Sequence, residues 1–507
     1  MAPSMEIDDS VDKKSKSTTA AKKVGTPSAS SEEASPHPDM SLAQDIHRVM
    51  MVHSSTLSVE DATAIIGMDP AALLDKVISR VGTGGKSVEE AIEENEAKYN
   101  KTEEDSTEDK KKDEDEDSDK TEEIVEPLLN AALYRHLQST LGYNKSDALS
   151  EVNLTAIEAH HEAIIKILRE NITKAKDEAG DMEVLHAHMD VARYCAKCTT
   201  KEMALSAYEE VVALPKLSIG KKLDAYLEMT RVCSFWGDWK SMNETLTKAA
   251  KVIGKGGDWD RRNRLKAYQA MSYLCSRDLK SASTLLVEGI ATFSCAELCE
   301  YSEFIMYAIV TNLLYLKRTE VKKSIIDGSE ILQVSKDIPV VVSFDAIVAV
   351  VVLDVLSPVD RRQLTINLLL IDTQMQLANT LYECDYKAYL HTLVDLQPHL
   401  VANRYLQPHA GYILRELHVL AFQQFLDSYQ SVTLESMATS FGVGVEFLDL
   451  QLSRFIAAGR LTAKIDKYGG VVETNRPDWK NARYQEMIQK GDLLLNRIQK
   501  LGRVVDL

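Results

Sequence analysis

The sequence predicts a mainly α chain in which a solenoid of paired helices runs into a winged helix and ends on one long terminal helix. Three observations carry this. Beyond Glu126 apolar residues recur three and four apart almost without interruption, and Pro and Gly are rare. Within that text TKEMALSAY, DWKSMNETL and DLKSASTLL put Tyr208, Leu246 and Leu286 in equivalent places, 38 and 40 residues apart. Each unit follows another helix, ending near Cys195, Cys233 and Cys275, the pattern of stacked pairs that bury their apolar faces only against one another. The third observation is the stretch 432–476, VTLESMATSFGVGVEFLDLQLSRFIAAGRLTAKIDKYGGVVETNR.

In that stretch Thr433 is placed to cap a short helix, and Gly442 and Gly444 bracket a turn. A second helix from about Val445 aligns Leu448, Leu452, Phe455 and Ile456 on one face, until Gly459 supplies a left-handed stop. Residues 461–466 and 471–474 read as strands, and the Lys467, Tyr468, Gly469, Gly470 link suits a hairpin. Helix, turn, helix and hairpin spell a winged helix. Its five acidic and five basic residues leave no surplus to neutralise phosphates, and the second helix offers Glu446 and Asp449 against Arg454 alone. A nucleic-acid-binding winged-helix protein is therefore the disfavoured class, and the wing is read as a protein-facing surface.

The terminal helix places Tyr484, Met487, Gly491, Leu494, Ile498, Leu501 and Val505 on a heptad seam that Ile488 and Leu495 widen. Such a seam needs a partner helix. The alternative is that it folds back on its own domain.

At 507 residues the chain has room for two or three domains. Its net charge of −18 is unevenly spread: residues 1–123 hold thirty acidic and fifteen basic side chains, which leaves the remainder near balance. Residues 1–40 contain no Leu and no aromatic residue and are expected to form a disordered tail. In 41–82 Leu42, Ile46, Val49 and Met50 suggest one helix and 71–77 a second, and 83–125 is expected to be an acidic, solvated insert. The block 338–376, rich in valine at its start, interrupts the helical text. It reads as a lineage-specific insert or as translated intron, and helical pattern resumes at Leu377. Asp345 and Asp354 argue against a membrane span in it. No secretory signal is read at the start, and seven cysteines are expected to be reduced thiols of a cytosolic or nuclear protein.

No chemistry stands out. Residues 81–87, VGTGGKS, resemble the end of a phosphate-binding loop but have Arg80 where a glycine is needed, so they read as a flexible linker. His186 and His188 form a His-x-His, but alternate residues of a helix point apart. Cys195 and Cys198, with Cys295 and Cys299, lie in helical text without zinc-knuckle turns. No catalytic residue, cofactor or metal is expected.

Helical repeats leading into a winged helix have the order of a PCI domain. GGDWDRRNRLK at 256–266, FGVGVEF and LSRFIAAGRL within 441–461, KIDKYGGVVETNRPD at 464–478 and KGDLLLNRIQKLGRVV at 490–505 closely resemble the 26S proteasome lid family of non-ATPase subunit seven. The resemblance implies a TPR-like array over 126–300, a PCI domain over 301–476 with its winged helix at 432–476, and a bundle helix over 477–507. It implies a non-catalytic scaffold of cytoplasm and nucleus, with lid PCI subunits as partners and no nucleic acid, membrane or small-molecule substrate. Tyr484, Met487, Leu494, Leu495, Ile498 and Leu501 become bundle contacts, and the hairpin from Lys464 to Glu473 faces a neighbouring winged helix. Trp259, Arg261 and Arg262 lie in a basic loop and helix start that meets an acidic neighbour. The signalosome, a sister PCI assembly, is the rival reading, against which the NRPD and LLNR strings weigh.

Overall fold

The computed structural model describes residues 35–66, 69–100, 127–141, 150–178, 180–254, 256–328, 331, 373–474 and 479–505. The chain divides into two units, 1–34 and 35–507. The first lies outside the described residues, and all that follows concerns the second.

Three helices open it, α1 (Met40–His53), α2 (Val59–Ile66) and α3 (Pro70–Val81). The Asp39 and Asp69 carboxylates cap α1 and α3, whose apolar sides, with Leu42, Val49, Leu73 and Val77, are buried. The sequence reading has no counterpart for α2, which at eight residues is too short to show periodicity. Three expectations here need correction. The last residues assigned to the tail are packed, since Ser35 and Pro38 are buried and the His37 carbonyl accepts a hydrogen bond from Arg231 at 3.0 Å. The segment assigned to an acidic insert begins with helix α4 (Val88–Asn100), which buries Ala91. Ser87 and Glu90 form its capping box: the Glu90 amide donates to Ser87 Oγ at 3.3 Å and the Ser87 amide to the Glu90 carboxylate at 3.4 Å. The rest of that insert, 101–125, lies outside the described residues. The glycine-rich link before α4 is no loose linker either, because Thr83 is buried and the Leu128 amide donates to Arg80 O.

After α5 (Ala131–Leu141) and α6 (Glu151–Glu178) the paired helices follow: α7 (Asp181–Cys198) with α8 (Lys201–Val212), α9 (Ile219–Phe235) with α10 (Trp239–Ile253), and α11 (Trp259–Cys275) with α12 (Leu279–Gly289). Tyr208, Leu246 and Leu286 are buried at equivalent points of α8, α10 and α12. One turn recurs between partners. Gly237 (φ 74°) and Arg277 (φ 62°) take the left-handed conformation, and the next residue, Asp238 or Asp278, caps the following helix by accepting from the Ser241 or Ser281 amide. Charged groups tie the pairs together. Glu228 of α9 accepts from Arg193 of α7 (2.9 Å) and from Tyr208 of α8 (2.9 Å), while Glu297 accepts from Arg264 (2.8 Å) and Tyr268 (3.4 Å) of α11.

α13 (Tyr301–Tyr315) and the short α14 (Arg318–Val321) continue the helical body. The expected atypical block at 338–376 lies outside the described residues except for 373–376, which already belong to a helix running to 383, with Met375 buried. Helix therefore resumes before Leu377. Cys384 (φ 65°) and Asp385 repeat the turn-and-cap seen within α9/α10 and α11/α12, and α15 (Tyr386–Ala402) and α16 (Ala410–Leu426) follow.

The end of α15 is the joint of the molecule. Gln44 of α1 donates to Ala402 O at 3.2 Å, Asn403 donates to the Tyr307 hydroxyl at 2.7 Å, and Arg404 donates to Ser234 O and Phe235 O at the end of α9. The same apolar core extends from α9–α13 through α15 and α16. Its far end is closed by β1 (Ser431–Thr433), α17 (Leu434–Phe441), α18 (Val445–Ala457), β2 (Ala463–Asp466) and β3 (Val471–Thr474), and the chain ends on α19 (Trp479–Val505). The fold is mainly α with one small sheet.

Candidate assembly surface

The winged helix forms as its residues dictate. Thr433 Oγ1 accepts from the Ser436 amide at 3.3 Å, Gly442 (φ 67°) and Gly459 (φ 70°) end α17 and α18 in the left-handed region, and Leu448, Leu452 and Phe455 are buried. Asp466 accepts from the Tyr468 amide at 3.0 Å and starts the hairpin turn. The sheet order is β1-β3-β2, antiparallel throughout, with Val432 and Ile465 both opposite Val472. β1 is the strand the sequence reading missed, because three residues give too little alternation to be seen.

Lys464 and Glu473, two of the expected interface residues, stand directly opposite each other and are exposed. α18 turns Phe447, Leu450 and Arg454 outward at helical spacing, and Tyr468 stands fully exposed at the hairpin tip. Phe447 and Leu450 were not among the expected residues, although two large apolar residues off the buried Leu448/Leu452/Phe455 stripe are a legible sign of a second face. The charge reading of α18 changes in one respect: Asp449 does not stand open but meets Lys467 of the wing at 3.1 Å.

α19 is the plainest feature. Tyr484, Met487, Ile488, Leu494, Leu495, Ile498 and Leu501 are each 57–68% exposed, and so is Leu493 beside them. The fold-back alternative therefore fails among the described residues, since no part of the domain covers this stripe. Most of these side chains have the helical spacing of one face, and a face of this size left in water costs free energy that only a partner can return.

The basic loop is different. Trp259 is exposed at the start of α11 and Arg262 faces solvent, but Arg261 forms a two-pronged pair with Asp224 of α9, at 2.8 and 3.0 Å. Arg264 is engaged by Glu297. The expected contact with an acidic neighbour is corrected for Arg261: its charge is spent within the chain, joining α9 to α11, and Trp259 and Arg262 are what the loop presents.

The residues considered for chemistry are placed as follows. Residues 81–87 follow a helix, not a strand, and Lys86 pairs with Glu94. Burial pushes the Cys198 thiol up to about 12 and raises Cys195, Cys295 and Cys299, which disfavours the thiolates that zinc requires. Among the described residues no three His, Cys, Asp or Glu side chains are grouped to hold a metal ion, and no helix is long and apolar enough to cross a membrane.

Paired helices feeding a winged helix, with an uncovered terminal helix beyond it, define a PCI-type assembly subunit, and the PCI domain model matches residues 386–476. The models described as 26S proteasome subunit RPN7 and as the 26S proteasome regulatory subunit RPN7/PSMD6 C-terminal helix match residues 151–324 and 483–505. The chain is 38% identical over 359 residues to the 26S proteasome non-ATPase regulatory subunit 6 homolog of Arabidopsis thaliana, covering 71% of this chain and 84% of the relative. To the 26S proteasome non-ATPase regulatory subunit 6 of Oryza sativa it is 37% identical over 377 residues, 74% and 87% of the two chains. It belongs to the RPN7/PSMD6 family of 26S proteasome regulatory subunits. COP9 signalosome complex subunit 1 of Arabidopsis thaliana is 26% identical over 123 residues, 24% of this chain and 28% of that one, so the rival reading extends over a quarter of the sequence.

Proposed function

We propose that the chain is a non-catalytic scaffold subunit of the 26S proteasome regulatory-particle lid, acting in assembly of the particle and thereby in ubiquitin-dependent protein degradation. The observation that carries this reading is α19, a 27-residue helix whose apolar stripe is uncovered in the isolated chain. Its partners are the terminal helices of other lid subunits, gathered in a bundle, and neighbouring PCI subunits meet the winged helix along β2 and the outward face of α18. The chain supplies surface and no reaction, and it takes no nucleic acid, membrane or small molecule. It works in cytoplasm and nucleus. Support comes from the family and from the buried, high-pKa thiols, which suit a reducing compartment.

Affinity purification of the tagged chain, with mass spectrometry of what accompanies it, tests the proposal. Lid, base and core proteasome subunits are expected. Signalosome subunits in their place would keep the architecture and move the pathway, and recovery of the chain alone would end the scaffold reading.

A further inference from the structure

Arg231 of α9 is 1% exposed, the largest fully buried side chain among the described residues. A buried guanidinium keeps its charge and needs acceptors. Only Nη2 has one, the His37 carbonyl, while Nε and Nη1 have none. The nearby phenols of Tyr208 and Tyr268 give no relief, since each donates to a carboxylate already held by Arg193 or Arg264.

The segment lying against Arg231 is Ser35-Pro36-His37-Pro38-Asp39. Burial is the main cause that takes the His37 imidazole down to about 4, and the charges of Lys197, Arg231 and Arg80 act in the same direction against Asp39 alone. Asp39 is itself engaged by Arg80. Lys197, Arg231 and Arg80 thus all lie close enough to act on the His37 ring. Ser35 is buried beside His37, its hydroxyl 3.4 Å from His37 O and 3.3 Å from His37 N. Only the two hydrogen bonds that meet at the His37 carbonyl separate Ser35 Oγ from Arg231 Nη2. Ser35 is also followed by proline, the dipeptide that proline-directed protein kinases read.

We propose that Ser35 is a phosphorylation site and that Arg231, with Lys197 and Arg80 acting on the same segment, is the receptor for its phosphate. The donor is ATP, used by a proline-directed kinase. Ser35 Oγ attacks the γ-phosphorus, the bond from that phosphorus to the bridging oxygen of ADP breaks, and the hydroxyl proton passes to the kinase's base. The kinase acts on the segment when it opens locally, which a short stretch held by few hydrogen bonds does at low cost. On closing, the phosphate, with a charge of about −1.5 to −2 at neutral pH, gives Arg231 the charge-assisted acceptors it lacks and fastens α1 to α9.

The test uses the full chain carrying phosphoserine at position 35, made by encoded incorporation or by a proline-directed kinase with ATP. Phosphorus NMR titration is expected to put the second phosphate pKa at least one unit below its ordinary value of about 6, because the cations hold the dianion. A value of 6 or above overturns the receptor. Hydrogen exchange across residues 37–53 is expected to slow at least tenfold on phosphorylation, and faster exchange would mean that the phosphate is expelled and the proposal wrong. R231M should abolish both effects, and their persistence in a folded R231M chain overturns the role of Arg231. If R231M does not fold, K197Q is read instead and is expected to shrink the pKa shift, an unchanged shift counting against the cradle. A kinase that labels a free peptide of this sequence but never Ser35 of the intact chain overturns the site.

Discussion

The paired helices α7–α12 and the terminal helix α19 share one spacing of apolar residues, three and four apart, and use it in opposite ways. In the pairs, Tyr208, Leu246 and Leu286 are sealed by the next helix of the same chain. In α19, Leu494, Ile498 and Leu501 stand open. The difference lies in what accompanies the spacing. The pairs α9/α10 and α11/α12 each carry a left-handed turn and an aspartate cap that bring the second helix back onto the first, and ion pairs such as Arg193 with Glu228 tie α7 to α9. The link from β3 to α19, 475–478, lies outside the described residues, and among the described residues nothing covers the apolar stripe of α19. Periodicity says that a helix needs a partner; in α9/α10 and α11/α12 the turn chemistry between the helices shows that the chain supplies one.

The sharpest way to break this comparison is to put charge into both kinds of seam. Asp at both Leu494 and Ile498 is expected to cut recovery of neighbouring subunits at least about a hundredfold, since several kcal/mol attend a carboxylate buried without a partner. The thermal midpoint of the isolated chain should stay where it is, because those positions are exposed there. Pull-down and a melting scan on the same preparation decide it, and a lowered midpoint would mean that α19 is buried within its own chain. Leu286→Ala is the mirror experiment. It should cost about 2–5 kcal/mol in urea unfolding through the cavity it leaves in the pair, yet leave subunit recovery per folded molecule unchanged.

How much of this was legible in the sequence follows from the same contrast. The repeat positions, the winged helix and the seam of α19 were legible because each is a local pattern of apolar residues and turn formers. α2 and β1 were not, being too short for a period to show. The Ser87 and Glu90 capping box was present in the letters and announced α4, but the acidic residues around it drew the segment into the solvated insert. Arg261 was misread for a different reason. Its partner Asp224 lies 37 residues away on another helix, and no local pattern distinguishes an arginine paired within the chain from one offered to a neighbour. Phe447 and Leu450 fall between these cases, visible as apolar residues on the wrong side of α18.

Acid sharpens the comparison further, because the repeat body holds buried neutral histidine and the described part of α19 has no histidine at all. His161 of α6 faces the Tyr194 hydroxyl at 2.7 Å and Leu129 O at 2.9 Å, and burial holds its pKa down at about 4 against an ordinary 6.5. The unfolded chain therefore binds this proton first. Stability is full above pH 6.5 and falls as the pH drops toward 4, by up to about 1.4 kcal/mol per pH unit from this group. H161Q is expected to be less stable at pH 7 but to show a shallower acid slope, measured as urea midpoints between pH 7 and 4.5. An unchanged slope would remove His161 as a source of acid lability.

The smallest expected effect concerns the wing, where an exposed surface is held by an ion pair of its own. Lys467 meets Asp449 at 3.1 Å, and the lysine side chain is 76% exposed. Solvent and salt screen such a pair, so Lys467→Ala should change unfolding free energy by no more than about 0.5 kcal/mol. Its consequence for assembly is larger if the outward face of α18 is an interface, because freeing Asp449 adds a negative charge beside Phe447 and Leu450. Subunit recovery from the K467A chain is expected to fall at low ionic strength and to return as salt is added. Recovery that is indifferent to salt would separate the wing from the assembly surface and leave α19 to carry it alone.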